Sequence, residues 1–266
     1  MIRYSEQRGI ISPSGIKSRT GKNTEDIVIP EICVGVYSHH LFEYIIDYYP
    51  DLRPTQIGYI NTANCERDVY KINFKGTPIT FYIAGIGGPL IAGDIGDLVK
   101  HGAKKFIYFG NCGVLDSNIE DCSIIIPTKA FRDEGTSQHY IPDSELIDLN
   151  PKYIPEFEAV LDSFKMNHTK GYTWTTDAIY RETEEKRDYY KANGGVCVEM
   201  EASIISAVTK FYGVDHFTFF YAGDNLDAVE WEARSISGLT KFEQKKLIPF
   251  LAFELAHKID SLSRRD

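Results

Sequence analysis

The sequence predicts an α/β fold, with a mostly parallel, twisted sheet covered by helices on both faces. Three observations predict it. Apolar runs such as "EICVGV", "ITFYIAG", "KKFIYFG" and "HFTFFYAG" have strand length and are rich in β-branched and aromatic residues. Segments with helical apolar spacing lie between several of these runs, and strands alternating with helices build parallel sheets. The composition, 43% hydrophobic and 25% charged over 266 residues, suits one large globular domain.

Residues 1–27 read as a polar, partly disordered N-terminal arm, and residues 28–266 as a single domain. Residues 31–36 make the first strand, and Ser38 caps a helix through "HHLFEYIIDYY". Residues 79–85 are the next strand, with "IGGP" turning into a helix near 90–101 that ends at Gly102. Strands follow at 104–110 and 122–131. "VCVEM" (196–200) leads into the helix "EASIISAVTKFY", where Ile204, Val208 and Phe211 share a face and Gly213 stands past the end. Residues 216–223 are the last strand. "TKFEQKKLIPFLAFELAHKI" closes the fold as a helix kinked or broken at Pro249.

Several classes are disfavoured. No apolar run is long enough to span a bilayer, and the N-terminus lacks the apolar core of a signal peptide, so a cytoplasmic protein is expected. The five cysteines are scattered without a CxxC pair, against both a disulfide framework and a zinc site. A formal net charge of −9 repels nucleic acid and anionic membranes. An anionic substrate would need a local positive pocket.

In open α/β sheets ligands sit beyond the carboxyl ends of strands. That rule selects the loops "GVYSHH", "GIGGP", "GNCGVLD", "RDEGTS", "VEMEAS" and "AGDNLD". Each also has a structural reading. Glu199 and Glu201 open a helix, where the macrodipole favours carboxylates by roughly 0.3–1 kcal/mol. Asp224 or Asn225 could cap a turn, His39 and His40 could simply start a helix, and Arg132 could pair with Asp133 or Glu134. "GIGGP" is an incomplete dinucleotide fingerprint and reads as a turn that lets a helix pack closely.

Taken together, "GIGGPLIAGDIGDLVKHGAKKFIYFGNCGVLD", "IIIPTKAFRDEGTSQHY", "TTDAIYRET", "VEMEAS" and "YAGDNL" occur in one order. This resembles the nucleoside phosphorylase superfamily of purine nucleoside and uridine phosphorylases and nucleosidases, over residues of about 30 to 240. The resemblance implies a mixed, partly barrel-like central sheet flanked by helices. It implies homo-oligomers too, dimers or trimers of dimers, in which a neighbouring subunit often completes the site.

The resemblance also implies residue roles. Glu201 would accept hydrogen bonds from the ribose 2′ and 3′ hydroxyls, with Met200 packed on the sugar and Glu199 holding the loop. Asp224 would protonate or hydrogen-bond the departing purine as a general acid. Tyr180, Ile179, Cys112 and Gly113 would border the base. Arg181 could reach a base carbonyl, which keeps a uridine phosphorylase in view.

The departures concern phosphate. "GVYSHH" stands in place of GDPxR, and "YFGNCG" has Tyr108 where an arginine is usual. Neutral side chains cannot reproduce an arginine fork. Gly35, Gly110, Asn111 and His39 are then expected to bind the anion, with Arg67 or Arg132 as relocated cation. The leading expectation is phosphorolysis of a purine nucleoside to ribose 1-phosphate and free base. Inorganic phosphate is the co-substrate, and neither metal nor cofactor is expected. The rivals are a uridine phosphorylase, a water-using nucleosidase whose "GNCGVL" loop resembles that of AMP nucleosidases, and a non-catalytic nucleoside-binding protein.

Overall fold

The computed structural model describes residues 4–7, 9–13, 28–62, 65–150 and 152–264. The predicted arm at 1–27 therefore lies largely outside the described residues, although Pro13 reaches Gly96 in the first long helix of the domain. No helix among the described residues is long and apolar enough to cross a membrane.

The chain opens with β1 (Ile32–Val36), α1 (His39–Tyr48), β2 (Thr55–Asn61), β3 (Glu66–Phe74) and β4 (Thr77–Ile83). It continues with α2 (Gly88–Lys100), β5 (Lys105–Val114), β6 (Ile124–Asp133), β7 (Leu146–Asp148), α3 (Ile154–Phe164) and β8 (His168–Thr176). Then come α4 (Glu184–Ala192), β9 (Gly195–Glu199), α5 (Ala202–Tyr212) and β10 (Asp215–Asn225). The short α6 (Phe242–Lys245) and the long α7 (Ile248–Ser263) close the fold.

The strand order is β10-β6-β8-β9-β5-β1-β4-β3-β2, and β10 also pairs with β5. That extra pairing closes β5, β9, β8, β6 and β10 into a barrel, from which β1, β4, β3 and β2 extend as an open wing. The sheet is mixed. β1, β4, β5 and β10 run parallel where they pair, whereas β9 meets β5 and β6 meets β10 antiparallel. The mostly parallel sheet expected from strand and helix alternation is thus corrected. Residues 50–78 and 140–195 supply strands β2, β3 and β8 that carry no strong apolar run.

Helices cover both faces. α3 and α7 bury Phe157, Leu251 and Phe253 with Phe81, Phe217 and Phe219. α2 and α5 bury Ile91, Ile95, Ile204 and Val208 against Phe106 and Tyr108. Each such side chain contributes roughly 1.5–3 kcal/mol by leaving water. Phe211, expected on the same face as Ile204 and Val208, is instead 50% exposed and packs edge-on with Tyr140. Local signals hold at many ends. Ser38 Oγ accepts from Leu41 N at 3.3 Å, Gly102 and Gly213 have φ of +110° and +69°, and Pro249 sits in the first turn of α7.

Two expected loops are strands. β5 runs through Asn111, Cys112 and Gly113, and β10 runs through Asp224. Closure of the barrel explains both, because each strand gains ladder partners beyond its apolar run.

Candidate functional site

The turn between β9 and α5 shows what the two glutamates of "VEMEAS" do. Glu199 Oε2 accepts from the backbone N–H of Glu201 at 2.7 Å and of Ala202 at 2.6 Å. Its Oε1 accepts the hydroxyls of Thr175 at 2.6 Å and Thr173 at 3.1 Å. Parallel pairing of β8 with β9 puts Thr175 beside Glu199. Glu199 is therefore a built-in cap of α5, satisfying N–H groups that a helix start leaves unpaired. Burial pushes its carboxyl above the ordinary range, and these bonds oppose the shift.

Glu201 is arranged differently. One oxygen, Oε1, accepts from Gly87 N at 2.6 Å. Gly87 has φ of +89°, a conformation open to glycine, and so turns its N–H toward the carboxylate. A Cβ at Gly88 would come 2.5 Å from Thr136 Oγ1, which explains the close packing of the "GIGGP" turn. Burial, then the neighbouring Glu199 charge, pushes the Glu201 carboxyl up to about 8.

Glu201 and Met200 border a cleft of about 220 Å³, together with Asn111, Cys112, Gly113 and Asp224. Parallel pairing of β5 with β10 places Asp224 opposite Gly113, and a bulge between Ala222 and Asp224 redirects the chain there. A Cβ at residue 113 would lie 3.2 Å from Asp224 Oδ1, so the glycine leaves room for the acid. Asp224 Oδ2 accepts the indole N–H of Trp231 at 2.8 Å. Burial raises its pKa, and the Trp231 bond opposes that rise. Asp224 is not a loop cap. That work falls to Asn225, which binds Asp227 N and the side chains of Ser117 and Glu232.

The cleft opens past Ile179 and Glu182 into an outer cleft of about 560 Å³ bordered by Tyr180, Val229 and Trp231. Glu182, Trp231 and Tyr37 were not singled out by sequence reasoning. Burial, then the charge of Asp224, raises the Glu182 carboxyl to about 7. Glu182 follows Arg181 directly in "IYRET", and of the residues expected from that stretch Ile179 borders the inner cleft beside it. No local signal marks Trp231, seven residues after Asp224 in a loop.

Other expected residues stand elsewhere. Tyr180 is 96% exposed and borders only the outer cleft. Arg181 faces a separate cleft near Glu185 and Lys186, away from Glu201. Gly35 lies in the middle of β1 with β4 and β5 on either side, so its backbone belongs to the sheet. Gly110 lies beneath the Tyr37 ring, and His39 is exposed at the start of α1 without bordering the cleft. Arg67 Nη1 donates to Asp94 Oδ2 at 2.7 Å and to Ile83 O at 3.1 Å, while Nη2 binds Oδ1. Asp94 Oδ2 also accepts from Gly85 N, so this ion pair braces the glycine turn from behind. Arg132 does not pair with Asp133 or Glu134. It binds Ser137 Oγ, Pro142 O and Ser144, and does not border the cleft. Of the phosphate residues expected, the structure brings only Asn111 to the cleft beside Glu201.

Comparison with known proteins gives the family and the fold. A "Guanosine phosphorylase" of Halorubrum lacusprofundi is 27% identical over 158 residues, 57% of this chain and 63% of that protein. A "Uridine phosphorylase" of Thermococcus kodakarensis is 33% identical over 113 residues, 40% of this chain and 39% of that one. The chain thus spans less than two thirds of these relatives. Among solved structures, a purine nucleoside phosphorylase of Toxoplasma gondii in complex with immucillin-H superposes with a TM-score of 0.72. It is 18% identical and covers 90% of this chain and 93% of its own. An AMP nucleosidase of Bacteroides thetaiotaomicron gives 0.68 at 17% identity, covering 90% and 91%. These likenesses establish the shared fold. The sequence profile of the Phosphorylase superfamily matches residues 33–244, which include β1 to β10 except the first residue, and every residue of the inner cleft named above. The chain belongs to that superfamily.

Proposed function

We propose that this protein cleaves the N-glycosidic bond of a purine nucleoside. One observation carries the reading: a single cleft is bordered by Glu201 and Met200 and, at the end that meets the outer cleft, by Asp224 and Glu182. Cleavage builds positive charge on the sugar and negative charge on the departing base. A carboxylate that grips the ribose diol suits the first end, and an acid of raised pKa suits the second. Glu182 adds an acceptor for a ring N–H, which hypoxanthine and guanine carry at N1 and adenine lacks. Arg181, the residue that would favour uridine, faces another cleft.

Two acceptors fit the reading. Phosphate, giving ribose 1-phosphate, is supported by the names of the relatives. Water is supported by the lining of the inner cleft, which holds Glu182, Glu199, Glu201 and Asp224 and, among the described residues, no Lys, Arg or His to hold a phosphate. No metal or organic cofactor enters either route. The same reading makes the protein a cytoplasmic homo-oligomer, a dimer or trimer of dimers, as the family resemblance implies.

The test is base release from inosine, guanosine, adenosine and uridine, followed by chromatography. Purine release with little uracil is expected. Uracil alone would replace the reading with a uridine-cleaving one, and no base from any nucleoside would leave a binding protein.

A further inference from the structure

We propose that Tyr37 occupies the place expected of phosphate and holds a water molecule there as the nucleophile, so that the products are free ribose and base. This rests on the glycosidic cleavage proposed above and names its acceptor.

Tyr37 comes directly after β1, and the next residue, Ser38, is pinned as the cap of α1. Its ring is wedged from two sides. A Cβ at Gly110 would lie 2.8 Å from Tyr37 Cδ2, so the ring rests on bare backbone at residue 110. It also stacks on Tyr108, with centroids 6.3 Å apart at 30°, and Tyr108 is fixed by a 2.7 Å hydroxyl bond to Tyr82. These are the positions, around Gly110 and Tyr108, where the sequence led us to expect an anion.

The Tyr37 hydroxyl is buried and has no hydrogen-bond partner among the described residues. A buried hydroxyl left unpaired costs about 1–3 kcal/mol, a cost that a bound water would remove. Tyr37 borders the cleft of Glu201 and Asn111. Glu201 is the charged group that acts on it most strongly, followed by Tyr108, Glu199 and Asp94. Tyr37 borders the inner cleft alone, whereas Asp224 and Glu182 also border the outer one, so the ring stands at the Glu201 end.

Charge decides between the acceptors. Phosphate would enter beside Glu199 and Glu201 with no cation from the described residues of the cleft. A phosphate dianion left without a cation in a site of low dielectric loses its hydration uncompensated. Neutral water meets no such barrier and is small enough to share the space with a tyrosine ring. The phenol stays neutral, its pKa held well above the ordinary value by burial, so it orients the water and does not deprotonate it. The water oxygen bonds to C1′ as the C1′–N bond breaks and its electron pair passes to the base. The base takes a proton from Asp224, and the surplus proton of the attacking water leaves to solvent.

The experiment follows base and sugar products of guanosine and inosine in phosphate-free buffer and with added phosphate, for wild type and Tyr37→Phe. Free ribose at the same rate in both buffers is expected from wild type. Tyr37→Phe, which keeps the ring, should lower kcat about tenfold, the effect of one lost hydrogen bond, with nucleoside KM and melting temperature nearly unchanged. Ribose 1-phosphate from wild type overturns the proposal and leaves glycosidic cleavage standing. Wild-type kcat in a folded Tyr37→Phe overturns it too. Should that variant fail to fold, the wild-type sugar product decides. No base from any nucleoside, in either buffer, overturns both readings.

Discussion

The indole N–H of Trp231 donates to Asp224 Oδ2 at 2.8 Å, across the boundary between the inner and outer clefts. The bond favours the charged form of an acid whose pKa burial raises. Trp231→Phe removes it and should raise the Asp224 pKa further. Activity that needs protonated Asp224 is lost as pH rises through that pKa. The basic limb of the kcat/KM profile is therefore expected to move to higher pH. An unmoved limb would remove Trp231 from the control of the acid.

Glu199 and Glu201 should separate in their effects. Glu199→Gln weakens the acceptor of two backbone N–H groups and two threonine hydroxyls, and should cost about 1–3 kcal/mol of stability. Glu201→Gln loses an acceptor at the diol and should raise nucleoside KM by about tenfold, while below about pH 4.5, where Glu201 is neutral in fold and unfolded chain alike, it should melt near wild type. Thermal melts beside steady-state kinetics make the comparison. Equal behaviour of the two variants in both measurements would be decisive against these roles.

Arg67 serves stability here through its bidentate pair with Asp94. Arg67→Met leaves Asp94 buried without its partner and should cost roughly 3–5 kcal/mol. Replacing both, as Arg67→Met with Asp94→Leu, should recover part of that loss. Denaturant unfolding of the two variants checks it. A mild single variant would show that the guanidinium is dispensable to the glycine turn.

Glu201 also sets a pH dependence. Its carboxyl titrates at about 8 in the fold against about 4.5 unfolded. Between those values the folded chain binds the extra proton, so this group contributes stability that is complete below about 4.5 and lost as pH rises through about 8. Melting temperature should therefore fall less over that window in Glu201→Gln than in wild type. Parallel pH curves for the two proteins would contradict a raised Glu201.

Much of the fold was legible because local rules govern its ends. Ser38 caps α1, Gly213 ends α5 and Pro249 opens α7, each from chemistry carried by one or two residues. The glutamate pair, Met200 and Asp224 were legible as well, since they lie in compact motifs. β2, β3 and β8 were not. Their polar and apolar residues mix because parts of them face solvent, and their pairing comes from distant strands.

What the sequence by itself determined was the set of strands and helices with strong periodicity, the family, and two acids that stand in one cleft. What only the tertiary structure decided was which side chains meet. Barrel closure through β5 and β10 turned the expected loops at Asn111 and Asp224 into strands. It also set Gly113 against Asp224 and brought Glu182 to the same cleft. The ion pair of Arg67 with Asp94 took a candidate phosphate arginine out of the site. Tyr37 became a buried, unpaired hydroxyl only because Gly110 and Tyr108 pack beside it. The reason is physical: a residue's type fixes what it can bond, but burial and the partners within about 4 Å are set by strands far apart in the chain.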